Sequence, residues 1–125
     1  MQARHFPESQ RWARGELQWN EPKIVYTRNR KLTMQADGNM VLYQLHRKNG
    51  GEGGIASETP LWSTQTHAYP GARAAFNAEG LLTVHDLYEN KRFTTQSRAE
   101  RMELRADGAL VLLDANGRVI TRLGG

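Results

Sequence analysis

The stretch Leu32-Thr33-Met34-Gln35-Ala36-Asp37-Gly38-Asn39-Met40-Val41-Leu42 decides the fold. Apolar and polar residues alternate on both sides of Ala36-Asp37-Gly38, the period of a half-buried strand, so the segment reads as a β-hairpin. A two-residue loop would put Met34 and Met40 on opposite faces. A three-residue loop, Ala36-Asp37-Gly38, puts Leu32, Met34, Met40 and Leu42 together on one face. Such loops are commonly a type I turn closed by a left-handed residue, the place where glycine costs least.

The pattern of polar residue, Ala, acid and Gly recurs in Asn77-Ala78-Glu79-Gly80 and Arg105-Ala106-Asp107-Gly108. Ala74 and Phe76 precede the second turn, and Leu82 and Val84 follow it. Met102 and Leu104 precede the third, and Leu110 and Leu112 follow it. The acids are 42 and then 28 residues apart, the surplus being largely His46-Arg47-Lys48-Asn49-Gly50-Gly51-Glu52-Gly53-Gly54, too glycine-rich and polar for a strand. A third strand follows each hairpin: Leu61-Trp62-Ser63-Thr64, Arg92-Phe93-Thr94-Thr95 and Val119-Ile120-Thr121-Arg122. Three antiparallel units that each bury one face should close around a common all-β core. Its expected members are the twelve inward residues of the three hairpins, with Trp62, Phe93 and Ile120. Residues 1–14, with mixed charge and no clear period, read as an N-terminal arm pinned by Trp12, and 15–125 as a single domain.

The 125 residues fit that one domain, and 38 % hydrophobic with 24 % charged residues is a globular composition. The absence of cysteine excludes disulfides, thiol catalysis and cysteine-based metal sites. The longest apolar runs, such as Ala109-Leu110-Val111-Leu112-Leu113, fall far short of a membrane-spanning helix, so no membrane insertion is expected. The first residues hold no apolar signal-peptide segment, which leaves the cytoplasm or a leaderless release as the expected localisation. The net charge of +4 is spread between acids, as in Arg98-Ala99-Glu100-Arg101-Met102-Glu103, so nucleic acid is not an expected partner. No G-x-S-x-G or H-E-x-x-H occurs, and the four histidines are dispersed. His85-Asp86 reads as a strand end rather than a metal or catalytic dyad. No catalytic residue, metal or cofactor is expected.

The chemistry gathers on the outer side of the first hairpin, where Gln35, Asn39, Val41 and Tyr43 share a face and Asp37 sits at the turn. Carboxylate and amide oxygens accept from sugar hydroxyls, amide NH₂ groups donate to them, and a phenol does both. Gln35-Ala36-Asp37-Gly38-Asn39-Met40-Val41-Leu42-Tyr43 resembles in full the Q-x-D-x-N-x-V-x-Y motif of the bulb-type mannose-binding lectins. Leu61-Trp62-Ser63-Thr64-Gln65-Thr66 is similar to a stretch that follows the motif in that family, and the resemblance runs from about Gly15 to the C-terminus.

The resemblance implies a β-prism II fold, three four-stranded sheets around a pseudo-threefold axis with a tryptophan-lined centre. It implies that Asp37 and Asn39 bind the axial 2-hydroxyl of mannose, Gln35 the 3-hydroxyl and Tyr43 the 4-hydroxyl, with Val41 against the ring. Many family members carry a cysteine in this loop; here Gly38 holds its place.

The other units depart from the motif. Unit two has Asn77, Glu79, Leu81, Thr83 and His85, which leaves open an altered ligand there. Unit three has Arg105, Asp107, Ala109, Val111 and Leu113. One intact site per chain is weak on its own, and avidity would come from a homodimer exchanging the N-terminal arm with Trp12 and Trp19. The rival reading is an interaction module of the same fold, or a domain resembling the lectin-like bacteriocins, whose partner is a protein or an anionic surface glycan.

Overall fold

A computed structural model of the chain describes residues 6–48 and 54–125. Of the expected loop 46–54, His46 and Arg47 instead extend a strand and pair with Ser57 and Ile55, and residues 49–53 lie outside the described residues. Twelve strands and no helix are found among them: β1 Gln10–Ala13, β2 Leu17–Trp19, β3 Lys23–Tyr26, β4 Arg30–Met34, β5 Met40–Arg47, β6 Ile55–Ser63, β7 Arg73–Phe76, β8 Leu82–His85, β9 Lys91–Thr94, β10 Arg101–Leu104, β11 Leu110–Leu113 and β12 Val119–Gly124. They form three four-stranded antiparallel sheets, ordered β3-β4-β5-β6, β2-β7-β8-β9 and β1-β10-β11-β12. This is the β-prism II architecture.

Each hairpin turn is built as the pattern predicts. Gly38, Gly80 and Gly108 have φ of 92°, 81° and 95°. In each unit the residue before the loop donates its N–H to a carbonyl across the mouth and its own carbonyl accepts from the loop glycine, as Gln35 N–H donates to Asn39 O at 2.9 Å and Gly38 N–H to Gln35 O at 3.0 Å. The same build closes the β8–β9 and β11–β12 turns, where Asp86 and Asp114 start the loop. Gly38 is further constrained, since a Cβ there would lie 1.9 Å from the Tyr69 carbonyl oxygen. No side chain fits this position, a cysteine included.

All twelve hairpin residues expected inside are buried in one cluster. Trp62 and Phe93 pack against it and meet edge to face, with ring centroids 6.0 Å apart. Ile120 departs from the expectation: it is 39 % exposed. A bulge in each third strand explains this. Leu42 pairs with Trp62, Val84 with Phe93 and Leu112 with Thr121, so Leu61, Arg92 and Ile120 are the extra residues. A shift of one residue turns a side chain to the other face. The spacing held the signal, since Phe93 and Thr121 each follow their acid by 14 residues, whereas Ile120 follows Asp107 by 13.

The N-terminal stretch, expected as an arm pinned by Trp12, supplies a strand. Gln10–Ala13 is β1, the outer strand of the third sheet, with Trp12 opposite Met102. Residues 17–26 then supply the outer strands of the other two sheets, with Trp19 opposite Ala74 and Val25 opposite Leu32. Side-chain size alternates across these pairs: the smallest hairpin residue, Ala74, faces a tryptophan that is only 5 % exposed. Trp12 and Trp19 meet edge to face at 6.2 Å, so both serve the core of their own chain. The edge position and short length of β1 hid it, because four residues carry too little periodicity to stand out.

Candidate functional site

The first hairpin brings the five motif residues onto β4, β5 and their turn. Gln35 Nε2 donates to the Tyr43 hydroxyl oxygen at 2.7 Å, so two residues eight apart in sequence are joined across the hairpin. The phenol proton and the Gln35 carbonyl oxygen are left for other partners. At the turn, Asn39 N–H donates to Asp37 Oδ1 at 2.9 Å, the local bond that Asp characteristically makes two residues ahead. Asp37 itself is exposed. Val41 is 4 % exposed, the floor of the site rather than a rim contact.

Asn39 is anchored by a segment to which the sequence assigns no role. Its Oδ1 accepts from Thr66 N–H at 3.1 Å and from Thr64 Oγ1 at 3.3 Å. A backbone N–H only donates, so the amide must present its oxygen to Thr66, and its NH₂ meets no acceptor among the described residues. Thr66 Oγ1 donates to Gly38 O at 2.6 Å, and the two threonine hydroxyls meet at 2.7 Å. Gln65, between them, has a φ of 57°, which turns both threonines onto the hairpin. The threonines lie more than twenty residues past the motif, so only the fold brings them to it. Unit two repeats part of this device, since Thr95 Oγ1 accepts from Leu82 N–H as Thr64 Oγ1 does from Met40 N–H.

Lys31 and Glu58 flank the site and were also missed. Lys31 Nζ lies 4.6 Å from the Tyr43 ring centroid and 2.7 Å from Glu58 Oε2. The register explains the meeting, for Lys31 pairs with Tyr43 and Tyr43 with Pro60 across β4, β5 and β6. Beside the motif an open groove of about 590 Å³ follows β3 and β4, lined in part by Pro22, Ile24, Lys31, Thr33 and Gln35. Gln35 belongs to both.

The other two units do not reproduce this arrangement. In unit two Asn77 Oδ1 accepts from the N–H groups of Glu79 and Leu81 at 2.9 and 3.0 Å, and Glu79 pairs with Arg98 at 3.4 Å. Thr83 is 1 % exposed, and His85 lies opposite Arg73. The next turn is held by Asp86, 5 % exposed, which accepts from Tyr88 N–H, Asn90 N–H and Arg92 Nε at 2.8–2.9 Å. Desolvation pushes its carboxyl up, but the Asn90 N–H, Arg92, the Tyr88 N–H and the Asn90 amide prevail and hold it at about 2. In unit three Ala109, Val111 and Leu113 form a small apolar cluster where unit one has Asn39, Val41 and Tyr43.

No protein-family model matches the sequence, and no curated protein matches it either. Solved structures do match. A monomeric monocot mannose-binding lectin from Gastrodia elata superposes with a TM-score of 0.69 at 15 % identity, over 90 % of this chain and 94 % of that one. The agglutinin of Colocasia esculenta matches with a TM-score of 0.62 at 17 % identity, over 97 % and 98 %. The mannose-specific bulb lectin of Scilla campanulata matches with a TM-score of 0.54 at 23 % identity, over 84 % and 85 %. Twelve strands in three sheets, closed on one core, give this chain the β-prism II fold of the bulb-type lectins.

Proposed function

We propose that the chain is a carbohydrate-binding module, not a catalyst, with one site for mannose or a mannose-like sugar on its first hairpin. Asp37 and Asn39 take the axial 2-hydroxyl, Gln35 the 3-hydroxyl and Tyr43 the 4-hydroxyl, over the floor that Val41 provides. The observation that carries the reading is the Asn39 amide: Thr66 N–H holds its oxygen, and its NH₂, with no acceptor among the described residues, is left on the turn that also carries the exposed Asp37 carboxylate. A donor and an anionic acceptor on one rigid turn suit a hydroxyl that both gives and receives a hydrogen bond. The mannose-binding proteins that share the fold support the same choice of sugar. The adjoining groove offers room for a glycan to continue past Gln35.

One such site is weak. A millimolar constant corresponds to about −4 kcal/mol, and linking sites multiplies apparent affinity by about 10²–10⁴. A homodimer that exchanges the N-terminal segment would supply this by making the β1–β10 pairing between chains instead of within one. Titration of the protein with methyl α-mannoside, beside the equatorial epimer methyl α-glucoside, tests the site. Saturable binding of the mannoside, with weaker binding of the glucoside, is the expected result, and equal binding of both removes the assignment to the 2-hydroxyl.

A further inference from the structure

The arginines of the third sheet are far apart in sequence and share one face. Core residues Met102, Leu104, Leu110 and Leu112 point inward, so their neighbours Arg101, Glu103, Val111 and Leu113 point outward. The register sets Arg11 opposite Glu103, Glu103 opposite Val111 and Val111 opposite Arg122, one row across all four strands. Arg101 and Arg105 flank Glu103 on either side, at 3.4 and 3.6 Å from its two oxygens. Four arginines thus stand on a face with one strand carboxylate, which pairs with Arg101 and Arg105, while Arg122 Nη2 donates to the Gly125 oxygen at 2.7 Å. Asp107 and Asp114 lie in the turns at opposite ends, and each accepts from backbone N–H groups of its own turn. Arg11 has no ion-pair partner among the described residues, and Arg101 Nε makes no hydrogen bond. In contrast, Lys31 on the first sheet is neutralised by Glu58, and Arg73 on the second by Glu89.

We infer that this face is a second binding surface, for an acidic polysaccharide, separate from the sugar site of the first hairpin. Its cations are all arginines, whose planar forks match sulfate and carboxylate groups in bidentate fashion. Adjacent strands are about 4.8 Å apart, so Arg11 and Arg122 stand about 14 Å apart across the sheet. A linear polyanion lays successive charges over such a span. The floor is Ala109, Val111 and Leu113, at 4, 2 and 1 % exposure, which holds the arginine stems without competing for their charge. The face carries no aromatic platform on which bases would stack, and no protruding element to enter a duplex groove. The net charge that looks dispersed along the chain is concentrated by the sheet.

The test titrates the intact chain with heparin, a sulfated probe, and with polygalacturonate, a carboxylated one. It compares the Arg11→Gln/Arg105→Gln/Arg122→Gln variant with a charge-matched control, Lys48→Gln/Lys91→Gln/Arg98→Gln. The face variant should lose about tenfold or more in affinity, the control no more than about twofold, and binding should weaken steeply with salt. The stronger probe identifies the anionic group. Glu103→Gln, which removes the lone carboxylate, should tighten binding and covers the case in which the triple variant does not fold. Methyl α-mannoside affinity should be the same in the face variant and the wild type, so this result stands or falls apart from the first site. Equal losses in the two triple variants, no binding of either polysaccharide, or tighter binding of a single-stranded oligonucleotide would each overturn the proposal.

Discussion

The Asn39 side chain accepts from Thr66 and Thr64 through Oδ1 and keeps Nδ2 for a ligand, so substitution can separate the two halves of one amide. Asn39→Ala removes both and leaves a backbone N–H unpaired, which should cost about 1–3 kcal/mol of stability as well as sugar binding. Asn39→Asp keeps an acceptor for Thr66 and removes the donor, so it should lose mannoside binding with a smaller change in the thermal midpoint. Asp37→Asn keeps the turn bond to Asn39 N–H and replaces a charged acceptor, a loss of about 1.5–3 kcal/mol that erases a millimolar interaction. Calorimetric titration beside a melting curve checks all three; a Asp37→Asn variant that binds like the wild type ends the assignment of the site. Gly38 is set by space and by backbone conformation together. Gly38→Ala should destabilise by more than about 2 kcal/mol in denaturant titration, since left-handed φ alone costs an L-residue about 1–2 kcal/mol.

At the scale of elements, the turn from β8 to β9 depends on one carboxylate. Against desolvation, the backbone N–H groups of its turn and Arg92 hold the Asp86 carboxyl at about 2, below the ordinary value of an aspartate. A group depressed in this way contributes stability above its unfolded pKa and loses it as pH falls toward the folded one. The contribution should therefore be intact at pH 5 and decline between about pH 4 and 2. Glu89, at φ 68° in the same turn, is held low by its hydrogen bonds to Arg73 and loses its pairing in acid as well. Asp86→Asn should be less stable than the wild type at neutral pH and show a shallower fall in melting temperature between pH 5 and 2. Parallel curves would show that other groups govern the acid transition.

For the whole molecule, the first strand is a structural member. Deleting residues 1–14 would strip β10 of one of its two partners and expose the core face that Trp12 covers. The deletion should lower stability by several kcal/mol, on the scale of about 3–5 kcal/mol for losing one packed tryptophan. A truncated chain with an unchanged unfolding midpoint would restore the picture of a dispensable arm. Trp62→Ala tests the closure from the opposite end. Trp62 is half-buried, edge to face with Phe93, and so close to Gly124 that a Cβ there would lie 2.5 Å from its own. It should cost about 3 kcal/mol, the lower end of the range for aromatic truncation, because part of its surface is already wet.

The hairpins, their three-residue loops, the twelve inward residues and the placement of the five motif residues on one hairpin are all legible along the chain. These rest on local alternation and on glycine at a left-handed position, both of which are written within a dozen residues. Tertiary structure decided the rest. Thr64 and Thr66 reach Asn39 from 25 and 27 residues away, and β1 meets β10 across some 90 residues. The bulges that exclude Ile120 shift the register by a single residue, a shift that alternation along one strand does not reveal and only the spacing between repeats records. The arginine face exists only where four strands lie side by side, because pairing between strands, not order along the chain, sets which charges are neighbours.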